Sequence, residues 1–240
     1  MFKIIFALAV SALYFSPGSA FTPRRPGRHT HIRLFASSLL KPAAVPLMDA
    51  GKAVARSGEL IIELTTVENI YGGALSAVGA QVRNAGDCLA QAAASCRFKT
   101  GSELVTDELR EAATCLQEAV AKMELGAHEA LVDNRNEMAS SMEKSISVLA
   151  DCGRALESAG AGIMTHEPVD KIGTYLVDAS EQLLLFSQLT LQLAPNREEA
   201  KVASQRLTFA AERMKIAGNE LQGIQLAKKT GKSWLKGGNL

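Results

Sequence analysis

Four cysteines, Cys88, Cys96, Cys115 and Cys152, are the side chains here with the broadest chemical reach. Cys88 and Cys115 stand almost equally far from Gly101-Ser102, a turn-forming pair. If that turn joins two antiparallel helices, both thiols come to similar height on adjacent helices. A bridge between them would need Cα atoms within about 7 Å. Cys88 and Cys115 are therefore a candidate redox pair; the plainer reading is two small apolar side chains with no shared role. Cys96 and Cys152 fall on apolar seams and read as core. None of the four stands in a CxxC pair or shows finger-like histidine spacing, which argues against zinc.

Other chemistry is sparse. A di-iron centre in a helical bundle needs Glu-x-x-His on two helices, and Glu124 and His128 are four residues apart with no second copy. His166 precedes Pro168 in a turn. Both histidines read as solvated polar residues. No nucleophile elbow of the G-x-S-x-G type occurs. The acidic pairs Asp107-Glu108 and Glu198-Glu199 open helical segments, where the helix dipole accounts for them. Gly231-Lys232-Ser233 matches the end of a phosphate-binding loop, but Leu226 stands where its first glycine belongs and a helix precedes it. No catalytic residue, metal site or cofactor is expected, and the chain reads as a non-enzyme. One further group is a candidate for binding: Lys228, Lys229, Lys232, Trp234, Leu235 and Lys236, in an acid-free C-terminal tail. It suits an anionic membrane surface or an acidic partner, or is simply a solvated end.

These groups must be positioned by helices. Between Asp49 and Lys229 there are just two prolines, Pro168 and Pro195, and Ala, Leu, Glu and Gln dominate. One pattern recurs: apolar at i, small at i+3 and i+4, apolar at i+7, small or apolar at i+10 and i+11. It starts at Val82, Leu109, Leu149, Leu176 and Leu207. Those offsets put all six positions on one helix face. The first and third copies, and the second and fourth, are 67 residues apart, which suggests a duplicated helical hairpin. Helices are predicted near 49–96, in one or two pieces split by Gly72-Gly73, and at 103–131, 136–164, 169–193 and 197–229. Ser102 or Thr106 and Asn196 are expected to cap helices. Short connections force neighbours antiparallel. The predicted fold is all-α: an elongated up-and-down bundle of four to five long helices, loosely similar in periodicity to vinculin- and talin-type rods.

The first 48 residues are different in kind, with no Asp or Glu. Lys3 precedes an apolar run from Ile4 to Tyr14, too short for the ~20 residues that span a bilayer. A small-residue exit, Gly18-Ser19-Ala20, follows, and a signal-peptidase cut between Ala20 and Phe21 is expected. Then comes a basic stretch with Arg24, Arg25, Arg28, Arg33 and Lys41. The tandem resembles the bipartite presequence of algae with red-lineage complex plastids, whose ASAFAP-like motif corresponds here to Gly18-Ser19-Ala20-Phe21-Thr22-Pro23. The resemblance implies delivery to the plastid, stromal or thylakoid-associated; the alternative is secretion with an arginine-rich mature N-terminus. The expected organisation is a signal peptide over 1–20, a transit-like segment over 21–48, a bundle over 49–227 and a basic tail over 228–240.

Removing the presequence takes six of the 26 basic residues and none of the 25 acids, leaving a net charge of −5. A mildly acidic body argues against nucleic acid, whose affinity rests on neutralising phosphates. No apolar run after residue 48 approaches membrane-spanning length; the densest is Leu183-Leu184-Leu185-Phe186. The functional expectation is a scaffold or accessory subunit that binds protein partners in the plastid. The alternatives are a thiol-redox regulator and a bundle carrying a small ligand between its helices.

Overall fold

The computed structural model describes residues 39–68, 73–98 and 101–223, with the side chains of 66–68 left aside. Nearly all of this is helix. After a 3-10 turn at Lys41–Ala43 come α1 (Ala44–Glu68), α2 (Ala74–Phe98), α3 (Ser102–Val132), α4 (Asn136–Met164), α5 (Val169–Leu193) and α6 (Glu198–Leu221). The predicted 49–96 segment is two helices, the split falling beside Gly72-Gly73 as one of the two expected readings had it, and the described residues form six helices where four to five were expected. They contain 24 to 31 residues, or roughly 36–46 Å at 1.5 Å per residue.

Each helix packs closely against its neighbours in the chain, and α6 closes on α1. The six therefore form a ring of three antiparallel hairpins, α1/α2, α3/α4 and α5/α6, with more extensive contact within each hairpin than between hairpins. Closure distinguishes this arrangement from a slender rod.

Two superposed periodicities build it. The first alternates steps of three and four. In α4 it runs Met142, Ser145, Leu149, Cys152, Leu156, Ala159, Ile163, and in α6 Ala200, Ala203, Leu207, Ala210, Met214, Ala217, Leu221, all buried. Such spacing keeps one stripe on the same side of a long helix, and here the stripe supplies the core. The second steps by seven along the flank and uses the smallest side chains. Gly51 and Gly58 of α1 face Gly86 and Gly79 of α2. A β-carbon on Gly51 would lie 2.7 Å from Gly86 O, and one on Gly79 2.7 Å from Gly58 O. In α5/α6, a β-carbon on either Gly173 or Gly218 would lie 2.5 Å from the other's carbonyl oxygen. No side chain fits at such separations, so backbone rests on backbone. The α3/α4 seam is wider: a β-carbon on Gly153 would stand 3.3 Å from Ala113 O, and Thr106 Oγ1 lies 3.3 Å from Gly160 O.

The ends follow the sequence less closely. α3 is entered through Gly101, whose φ of 120° is open to glycine but not to side-chain-bearing residues, and no side chain caps it. Ser102 and Thr106, expected as caps, instead lie buried inside α3. Asn196 does not cap α6 either; Arg197 takes that place and its side chain does not cap the helix. The bundle also begins before Asp49: Leu40, Ala43, Ala44 and Leu47 are all buried in the common core. The acid-free composition that marks residues 21–48 as one segment hides this, because buried helix positions carry no acids either.

Candidate functional site

Three places on this ring gather groups able to bind or react. The first is the α2/α3 seam. Adjacent antiparallel helices bring Cys88 and Cys115 side by side, close enough for the thiols to interact. Both are unbridged; Cys88 is half-buried and Cys115 buried. On the same seam Gln81 Nε2 donates to Glu118 Oε2 at 2.7 Å, an exposed link between the two helices. Burial pushes the Cys88 thiol up to about 12, aided by Cys115, Glu108, Glu111 and Asp87. Burial and then Glu111 and Glu118 raise Cys115, against a lowering contact from Cys88. Both thiols are thus held protonated near neutrality, and each interacts with the other across the seam. Cys96 and Cys152 lie in the core as expected, with Cys152 Sγ 3.7 Å from Ala179 O on α5.

The second place is the outer face of α5. The run Leu183-Leu184-Leu185-Phe186 is divided by the helix: Leu183 and Phe186 point into the core, 2% and 1% exposed, while Leu184 and Leu185 are 41% and 45% exposed. Leu191, two turns from Leu184, is exposed as well. The sequence reading noticed the run but not its outward half, although the 3.6-residue period could have separated the two.

The third is a shallow cleft between the start of α5 and the end of α6, lined by Pro168, Asp170, Lys171, Thr174 and Gln222. Lys171 Nζ donates to Glu167 Oε1 at 2.9 Å, and Tyr175 Oη lies 3.3 Å from Glu167 Oε2. The hydrogen bond to Glu167, with a further one to Tyr175, holds the Lys171 ammonium above its usual range. A lysine kept charged in this way is a fixed cation and a poor nucleophile.

His128 and His166 are both exposed, His166 with a positive φ of 58°. Among the described residues, no group of three or more His, Cys, Asp or Glu side chains is placed to hold a metal ion, and no helix is long and apolar enough to cross a membrane. The cleavage residues Ala20 and Phe21, and the tail residues Lys228, Lys229, Lys232, Trp234, Leu235 and Lys236, lie outside the described residues. No protein-family model matches the chain, and no curated protein matches it.

Proposed function

We propose that this protein is a non-enzymatic helical scaffold of a complex plastid, and that the outer face of α5 is where it receives a protein partner. The observation that carries this reading is the outward trio Leu184, Leu185 and Leu191, spread over two turns of α5 and interleaved with the exposed Glu181 and Gln188. Grouped apolar side chains with a polar surround mark protein-binding surfaces. Exposed leucines along one helix suit an amphipathic helix laid alongside it. The ring beneath is packed chiefly by alanine, glycine, leucine and small hydroxyl residues, a stiff support that keeps such a face in one shape. The tandem presequence supports delivery to the plastid, and the lysine-tryptophan tail offers a second contact to an acidic partner or anionic membrane.

The test places a photo-crosslinking residue at position 185, with a control at the exposed Glu157 on α4, in the chain carried into plastids. One discrete protein adduct at 185, absent at 157 and abolished by Leu184→Lys with Leu191→Lys, is expected. The same adducts at both positions would refute a dedicated face. The address is tested separately: fluorescent fusions of the native chain and a Phe21→Ala variant should differ, with only the native one entering the plastid.

A further inference from the structure

We propose that Cys88 and Cys115 form a reversible disulfide that clasps the first hairpin to the second across the α2/α3 seam. The pair stands where two hairpins meet, joined in the chain through the Gly101 turn. The two thiols are neighbours on adjacent, closely packed antiparallel helices, and Gln81 Nε2 donates to Glu118 Oε2 across the same seam. Cys88 is partly exposed and Cys115 is buried, which sets the order of events. The oxidant inferred is a small-molecule disulfide, RSSR. Burial keeps the Cys88 thiol protonated near neutrality, so exchange is slow and runs through its small thiolate fraction: that sulfur attacks one sulfur of RSSR, the S–S bond breaks, one RS⁻ leaves and takes up the proton that Cys88 released, and a mixed disulfide stands on Cys88. Cys115 then loses its proton and attacks the Cys88 sulfur, expelling the second thiol. Two protein thiols are oxidised and one disulfide is reduced to two thiols. Cys96 and Cys152, buried in the core, are beyond the oxidant's reach and serve as internal controls.

The clasp would close a loop of 27 residues, and tying a loop of that size restricts the unfolded chain. Because it spans a seam between hairpins, it adds a covalent tie to units that meet there through side-chain packing and the Gln81–Glu118 hydrogen bond.

The experiment equilibrates the full chain with glutathione disulfide and glutathione over a range of ratios. Thiols are counted by mass after trapping, and the linkage is mapped by non-reducing peptide digestion. Expected are loss of two of the four thiols, a single Cys88–Cys115 peptide pair, and a melting temperature higher by about 5–10 °C that dithiothreitol reverses. Cys115→Ser should stop at one glutathione adduct per chain, on Cys88. Should that variant fail to fold, Cys88→Ser offers the converse: no adduct and no change in melting temperature. Retention of all four thiols at the most oxidising ratio would overturn the proposal. So would linkage through Cys96 or Cys152, or dimers joined through Cys88 in place of the internal bridge.

Discussion

At the scale of single residues, the same residue type plays opposite parts. Glycine in a helix costs about 1 kcal/mol relative to alanine, so its presence asks for a reason. At Gly86 the reason is contact: a β-carbon there would lie 2.6 Å from Gly51 O and closer still to Ala55 N. These are backbone atoms that can yield only by parting α1 from α2. At Gly126 the nearest atoms would be 3.5–3.7 Å away, an ordinary contact, and two of the three belong to the flexible side chain of Met142. Gly86→Ala should therefore destabilise the protein by about 3 kcal/mol. Gly126→Ala should stabilise it by about 0.5–1 kcal/mol. Urea denaturation of both variants checks the contrast, and equal effects would mean that the α1/α2 seam is not built on backbone contact. The buried thiols carry a pH signature. Burial pushes Cys96 and Cys152 up to about 12 from an ordinary value of 9.0. As pH rises through 9, the unfolded chain releases these protons while the folded chain keeps them, so stability is intact below 9 and declines toward 12. Each thiol contributes up to about 1.4 kcal/mol per pH unit to that decline. Replacing Cys152 by alanine should lower stability at pH 8 yet make the fall between pH 9 and 10.5 shallower, as denaturation at a series of pH values would reveal.

At the scale of elements, helix identity was legible in the residues and helix count was not. The recurring pattern names α2 to α6 because small and apolar side chains at fixed offsets leave no other face to bury. α1 carries it too, as Leu47, Ala50, Gly51, Val54, Ser57 and Gly58, all buried. It begins inside the acid-free region, where composition points to an address and masks the pattern. With the sixth copy, the apparent duplication becomes three hairpins. Caps were misread for a related reason: Ser102 and Thr106 are good caps in isolation, but the core stripe of α3 already needs small side chains at those positions, and Gly101 alone can make the turn. The candidate site divides the same way. The symmetric placement of Cys88 and Cys115 about a turn foretold their meeting, whereas the outward leucines of α5 were hidden within a run that looked uniformly apolar. The early start of the bundle has a measurable consequence. A chain beginning at residue 39 keeps Leu40, Ala43, Ala44 and Leu47 in the core, and one beginning at 49 loses them. Burial of two leucines alone is worth about 4 kcal/mol. The shorter chain should lose about that much stability relative to the longer one in guanidinium denaturation. N-terminal sequencing of the mature protein should then find its first residue upstream of Leu40, since proteolysis further along would cut into folded structure.

At the scale of the whole molecule, closure is the property that local patterns could not announce. Every seam between sequential helices is implied by a short turn, but the α1/α6 seam joins residues far apart in the chain. Arg213 pairs with Asp49 across it, 164 residues away. Ser57 Oγ sits 3.4 Å from Ala203 O on the same seam, besides its 2.7 Å bond to Ala53 O on its own helix. The Asp49–Arg213 pair is about a third exposed, so its own contribution is modest. The apolar stripes of α1 and α6 supply the larger share, and both require the other helix to cover them. This makes the ring, rather than the hairpin, the stable unit. An up-and-down order of six helices also brings the end of α6 beside the start of α1. A circular permutant that begins at Gly101, runs through α6, and joins residue 223 to residue 40 by a short flexible linker keeps every seam. It should fold with a melting temperature within a few degrees of the parent, the cost being the altered closure entropy of one loop. Deleting α5 and α6 from the native order keeps four good helices but strips the cover from α1 and α4. That chain should lose its cooperative thermal transition and expose apolar surface to dyes such as ANS. A four-helix remnant that melted as sharply as the parent would mean that hairpins fold independently and that closure is incidental; a permutant unable to fold would mean that the α2/α3 turn holds together what packing alone cannot.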